Sequence, residues 1–78
     1  MARLRLFGPA REAAGTASIT LPGQSVSEII AAAEGQFGEP FSRVLSTSNI
    51  WLNGEPVESG APVKDDDEVA VIPPVSGG

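Results

Sequence analysis

The chain has 78 residues, 41% of them hydrophobic, and ten acidic against five basic side chains give a net charge of −5. That describes one small soluble domain with a thin core, short of the clustered cations that nucleic acid demands and of the unbroken apolar run that a membrane span demands. It contains no Cys and no His, which excludes disulfides, thiolate nucleophiles and metal ligands, and any Ser-His-Asp or Cys-His constellation.

Residues 2–7 alternate, with Ala2, Leu4 and Leu6 on one side and Arg3, Arg5 and Phe7 on the other, the period of a strand with one buried face. Gly8-Pro9 is expected to stop it. Residues 10–14 suit a short helical turn ended by Gly15. Residues 17–21 alternate again, with Ile19 and Leu21 inward and Pro22-Gly23 closing the strand. No apolar run of signal-peptide type follows Met1, so the cytoplasm is the expected location.

Ser25 and Glu28 stand at capping-box spacing. Behind them Val26, Ile29, Ile30, Ala33 and Phe37 repeat at helical intervals, which predicts an amphipathic helix from about Val26 to between Ala33 and Phe37. Gly35 and Gly38 weaken its end and Pro40 forbids continuation. Residues 41–48 read equally as a helical turn or a loop. Ile50 and Leu52 then share one strand face, with Trp51 on the other, and Asn53-Gly54 signals a tight hairpin. Pro56-Val57 suits a short edge segment. The acidic run Asp65-Asp66-Asp67-Glu68 lacks the alternating ligands and central Gly of a calcium loop and reads as a solvated turn or a partner-facing charge cluster. Residues 68–72 form the last strand, and Pro73-Pro74 ends its ladder.

Two strands, one main helix and two or more further strands predict a two-layer α+β domain, a mixed four- to five-stranded sheet with the helix across one face. The helix supplies the crossover that lets the first and last strands lie parallel. The domain is expected over residues 1–73, with a flexible tail over 74–78.

Three features are candidates for function. Phe7, Trp51 and Ile72 fall, by strand parity, on the face away from the helix, where a polar surface is expected. They mark either local packing or a partner-binding patch. Arg11 is either an ordinary surface arginine or a contact for an anion or acidic partner. The third feature is the ending Pro73-Pro74-Val75-Ser76-Gly77-Gly78. Two terminal glycines leave the last carboxylate without side-chain bulk, suited to threading a narrow channel, and five residues beyond Pro73 reach roughly 17 Å. A carboxylate of pKa near ~3.5 is ionised and inert at neutral pH, so it would need activation by another enzyme.

The stretch from Glu68 to Gly78 resembles the ending of molybdopterin synthase small subunits, within the ubiquitin-like sulfur carriers that end in Gly-Gly. Leu6-Phe7-Gly8-Pro9-Ala10-Arg11-Glu12-Ala13-Ala14-Gly15 is similar to that family's first strand and following turn. Ser25-Val26-Ser27-Glu28-Ile29 is similar to its helix start, and Leu52-Asn53-Gly54 to the end of its central strand. The likeness spans essentially the whole chain; Asp66 departs from it, standing where relatives commonly have Gly.

The resemblance implies a β-grasp fold and a non-catalytic, sulfur-donating role. An adenylating enzyme would use ATP to activate the Gly78 carboxylate, and sulfur would replace adenylate to give a thiocarboxylate. The tail, slim at Gly77, would enter the large subunit of a heterotetrameric synthase and donate sulfur to a cyclic pterin phosphate. Phe7, Trp51, Ile72, Pro73, Pro74, Val75 and Arg11 would then face partners, with no bound cofactor, metal, nucleic acid or membrane. Two rivals stand beside this reading. One is a carrier for thiamin or cysteine synthesis; the other is a ubiquitin-like binding module that never gains sulfur.

Overall fold

The computed structural model describes residues 1–74; the expected tail lies outside the described residues from Val75 onward. Five strands, β1 (Ala2–Leu6), β2 (Ser18–Leu21), β3 (Asn49–Leu52), β4 (Glu55–Pro56) and β5 (Glu68–Ile72), form one mixed sheet in the order β2-β1-β5-β3-β4. β1 and β5 run parallel at its centre, with Leu4 beside Val69 and Leu6 beside Val71, while all other pairs are antiparallel. The parallel pair predicted from the helical crossover is therefore present.

The alternation read along β1 and β5 sets the two faces. Ala2, Leu4, Leu6, Val69 and Val71 are buried on one side, where they meet Val26, Ile29 and Ala33 of helix α2 (Val26–Phe37). This dry layer, with no buried polar side chain among the described residues, supplies the main folding force. At the start of α2, Ser25 Oγ accepts the Glu28 N–H at 3.2 Å, and Glu28 Oε1 accepts the Gln24 N–H at 2.9 Å. The capping box thus closes one residue earlier on its return arm than the usual pattern.

Helices α1 (Gly8–Ala14) and α3 (Glu39–Leu45) are less legible in the sequence. Gly8-Pro9 does stop β1, but it opens α1, with Pro9 in the first turn, where a missing N–H costs nothing. The helix expected over 10–14 is accordingly two residues longer at its start. Pro40 ends α2 and begins α3 by the same logic. Gly38, at φ 84° and ψ −165°, makes the corner between them, a conformation that side chains disfavour. Residues 41–48, which suit a helical turn or a loop equally by pattern, are helical as far as Leu45, and Phe41 is fully buried. Its ring lies 5.1 Å from that of Phe37.

The remaining differences are small. β2 starts at Ser18 rather than residue 17, and β4 covers Glu55–Pro56 rather than Pro56-Val57. Asn53 and Gly54 both take positive φ, 51° and 86°, in a two-residue hairpin loop, as predicted. Asp66 is not among the positive-φ residues, so the turn before β5 accommodates it without backbone strain.

Candidate functional site

The site grows from the uncovered face of the sheet. The register sets Arg5 of β1 beside Ala70 of β5, and Ala70 beside Trp51 of β3, with Pro56 of β4 completing the row. One step along, Ile72 lies opposite Asn49. The Phe7 N–H donates to the Val71 carbonyl at 3.2 Å, which continues the β1–β5 pairing and sets Phe7 beside Ile72. Parity therefore holds: Phe7, Ile72 and Trp51 share the face away from α2. Phe7 is 39% exposed, while Trp51 and Ile72 are half-buried. Ala70 lies between Trp51 and Arg5, so the patch is shallow and continuous across three strands.

Arg5 belongs to this face, although the sequence reading does not single it out. Its guanidinium carbon sits 5.4 Å from the centroid of the Phe7 ring, within cation–π reach, and its Nη1 lies 3.8 Å from Glu68 Oε1. The two contacts hold a positive charge at the rim of the patch. The signal for it is strand parity, since Arg5 alternates in phase with Phe7.

Pro73 roots the tail against the start of α1. Gly8 takes φ +55°, and a Cβ placed there would lie 3.3 Å from Pro73 Cγ. Pro73 is half-buried and Pro74 exposed. Arg11 is exposed and lines a shallow groove with Gly8, Glu12, Gly15 and Thr16. Among the described residues no carboxylate lies within ion-pair distance of it. The groove and the tail root thus meet at Gly8. Val75, Gly77 and Gly78 lie outside the described residues.

The acidic run does structural work at the opposite end of β5. Asp67 Oδ2 accepts the Lys64 N–H at 2.8 Å and its Oδ1 accepts Asn53 Nδ2 at 3.0 Å. Asn53 Oδ1 in turn accepts the Glu68 N–H at 2.9 Å. The Lys64 and Asn53 hydrogen bonds stabilise the ionised carboxylate and hold the Asp67 pKa below its ordinary value. Asp65 meets the terminal ammonium of Met1 at 2.8 Å, but both groups are exposed and such a pair contributes little.

The ThiS family matches residues 4–78. Among solved structures, SAMP1 from Haloferax volcanii is 30% identical, with a TM-score of 0.78 over 99% of this chain and 98% of its own. A putative molybdopterin converting factor, subunit 1, from Pyrococcus furiosus is 29% identical, with a TM-score of 0.80 over 95% of this chain and 97% of its own. A chain of the BexX/CysO complex from Amycolatopsis orientalis is 26% identical, with a TM-score of 0.84 and full coverage of both chains. No match was found among curated proteins. The sheet order, the parallel central pair and the helix across one face are those of the β-grasp fold that these relatives share. The chain belongs to the ThiS family, the ubiquitin-like sulfur carriers that its sequence resembles.

Proposed function

We propose that the chain is the sulfur-carrier subunit of a molybdopterin synthase, acting in the cytoplasm through the carboxylate of Gly78. The observation that carries this reading is the continuity between the apolar patch and the tail root. Ile72 is in the patch and Pro73, the next residue, leaves the sheet, so a partner that grips Phe7, Ile72 and Trp51 also receives the tail. Arg11, Pro74 and Val75 extend that contact.

An ionised carboxylate is a poor electrophile. An activating enzyme therefore joins it to the α-phosphate of ATP, releasing pyrophosphate and leaving an acyl-adenylate. A sulfur nucleophile supplied by that enzyme attacks the acyl carbon, AMP departs, and a thiocarboxylate remains. In the synthase this sulfur bonds to a carbon of the cyclic pterin phosphate as a C–O bond at that carbon breaks and its oxygen group leaves, and water then cleaves the acyl–sulfur bond to return the carboxylate. The large subunit, in a heterotetramer, supplies the acid–base groups and phosphate contacts; this chain supplies the sulfur, the docking face and the reach. Gly77 keeps the tail slim where it enters the channel.

The Pro73-Pro74-Val75 sequence before the glycines supports molybdopterin synthesis, as does the likeness to the Pyrococcus protein. The likeness to a chain of the BexX/CysO complex supports a second reading, a carrier for another sulfur pathway. Incubation with an activating enzyme, ATP and a sulfur source, followed by intact-mass measurement, is expected to show one oxygen replaced by sulfur. The sulfurated chain with a synthase large subunit is then expected to yield molybdopterin. Deleting Gly78 is expected to abolish both results and leave the thermal melt unchanged. No mass gain in the full-length chain refutes the carrier role. Mass gain without molybdopterin, but with turnover by another pathway's enzyme, selects the second reading.

A further inference from the structure

We infer that Gly8 is a positioning residue for sulfur delivery: its bare α-carbon is the seat for the Pro73 ring, and that seat fixes the direction in which the chain leaves β5. The inference rests on the carrier reading above.

Three pieces of geometry converge on it. Phe7, extended at φ −128° and ψ 151°, is the last residue held by the β1–β5 pairing, through its N–H to the Val71 carbonyl. The chain then turns at once into α1, with Gly8 at φ +55°, a region that L side chains rarely adopt. At that corner a Cβ would stand 3.3, 3.7 and 3.8 Å from Cγ, Cδ and Cβ of Pro73. The first distance is tighter than ordinary van der Waals contact, and the neighbour must give by a few tenths of an ångström. Proline's ring fixes its own φ, so Pro73 can give way only by a change of ring pucker at Cγ or by turning the backbone that leads to Pro74, and it is the second response that redirects the tail. Gly54, also at positive φ, has nothing within 4 Å of an added Cβ. Crowding against the tail root is thus a property of Gly8 and not of left-handed glycines in this chain generally.

Catalytic delivery of a tethered group is sensitive to direction, since a displacement of about 1 Å at a reacting centre can cost up to ~100-fold. The test is a double-mutant cycle on the thiocarboxylated full-length chain, with Gly8→Ala, Pro73→Ala and the double variant, and Gly54→Ala as the strain-only control. Sulfur transfer to a cyclic pterin phosphate is measured with a synthase large subunit, and thermal melts and a Gly8–Pro73 nuclear Overhauser contact are recorded on the free chain. The contact is expected in the parent, and in Gly8→Ala it is expected to be weakened for the α-protons and replaced by a contact from the alanine methyl, with shifted Pro73 and Pro74 resonances. Gly8→Ala is expected to lower kcat for transfer about tenfold, with KM little changed. Gly54→Ala is expected to lower the melt comparably without changing kcat. The double variant is expected to be no worse than Pro73→Ala alone, because an alanine in place of the proline has no Cγ or Cδ to crowd.

Absence of the nuclear Overhauser contact in the parent overturns the seat itself, whatever the chain does. Equal kcat for Gly8→Ala and parent, or additive losses in the double variant, overturns the positioning role while leaving the carrier reading intact. Failure of the thiocarboxylated parent to transfer sulfur to a cyclic pterin phosphate with any synthase large subunit refutes the molybdopterin-synthase reading instead, and the positioning role in that transfer falls with it.

Discussion

At the scale of single residues, the turn before β5 shows how a charge cluster becomes structure. Asp67 accepts the Lys64 N–H and the Asn53 amide, while Asn53 pairs with Glu68 through its backbone N–H, at 2.8 Å, and through its side-chain oxygen. These bonds tie the β3–β4 hairpin to the start of β5. The two that end on Asp67 favour its ionised form, and its pKa is lowered from 3.8 chiefly by the Lys64 N–H and then by Asn53. A carboxyl group with a lowered folded-state pKa contributes stability above its unfolded pKa and loses it as pH falls through the folded value. The contribution is therefore complete at neutral pH and is lost as the pH falls below 3.8 toward the lowered folded value. Asp67→Asn is expected to melt lower than the parent at neutral pH, with the difference shrinking as the pH is taken to about 2. Thermal melts across that range check it; a constant difference would assign the effect to packing rather than ionisation. The sequence shows the acidic run but not this role, because the Asn53 partner lies 14 residues away and only the hairpin brings it near.

At the scale of elements, legibility follows the strength of local periodicity. β1, β5 and α2 each repeat apolar residues at one spacing, and each appears on the expected face. Residues 41–48 are ambiguous by pattern because α3, which enters them, has only seven residues, barely two turns, and a proline near its start that reads as a breaker. What fixes α3 is tertiary: Phe41 has no exposed surface and closes the core beside Phe37. Truncating a fully buried phenylalanine leaves both lost transfer energy and a cavity, so Phe41→Ala is expected to cost about 3–5 kcal/mol. Phe37→Ala is expected to cost less, since Phe37 is only half-buried. In a domain whose whole stability is roughly 5–15 kcal/mol, the first loss takes a large share. Urea titrations of the two variants check the order. Equal small losses would show that α3 rests on the domain without completing its core. The Gly8–Pro73 contact is hidden for a related reason: it joins a corner after β1 to the residue after β5, and no local pattern encodes such a pair.

For the whole molecule, the sheet divides labour between its faces. One is sealed by helices and carries stability; the other holds Phe7, Ile72 and Trp51 half open, with Arg5 at the rim, in a chain of net charge −5. The face is apolar enough to lose water against a partner, and Arg5, in phase with the exposed Arg3 along β1, offers positive charge at its rim. Because Ile72 belongs to this face and points away from the side of the core residues Val69 and Val71, it separates binding from folding. Ile72→Asp places a charge where docking would strip its water without supplying a partner, a cost of several kcal/mol. The free variant is expected to keep its circular dichroism spectrum, and its affinity for a synthase large subunit, measured by calorimetry, is expected to fall at least ~100-fold. Unchanged affinity would remove the face from the docking surface. A variant that loses its fold would show instead that Ile72 contributes more to the sheet than its half-exposed position indicates, and Phe7→Asp, outside the strands and more exposed, would then decide the question by the same measurement.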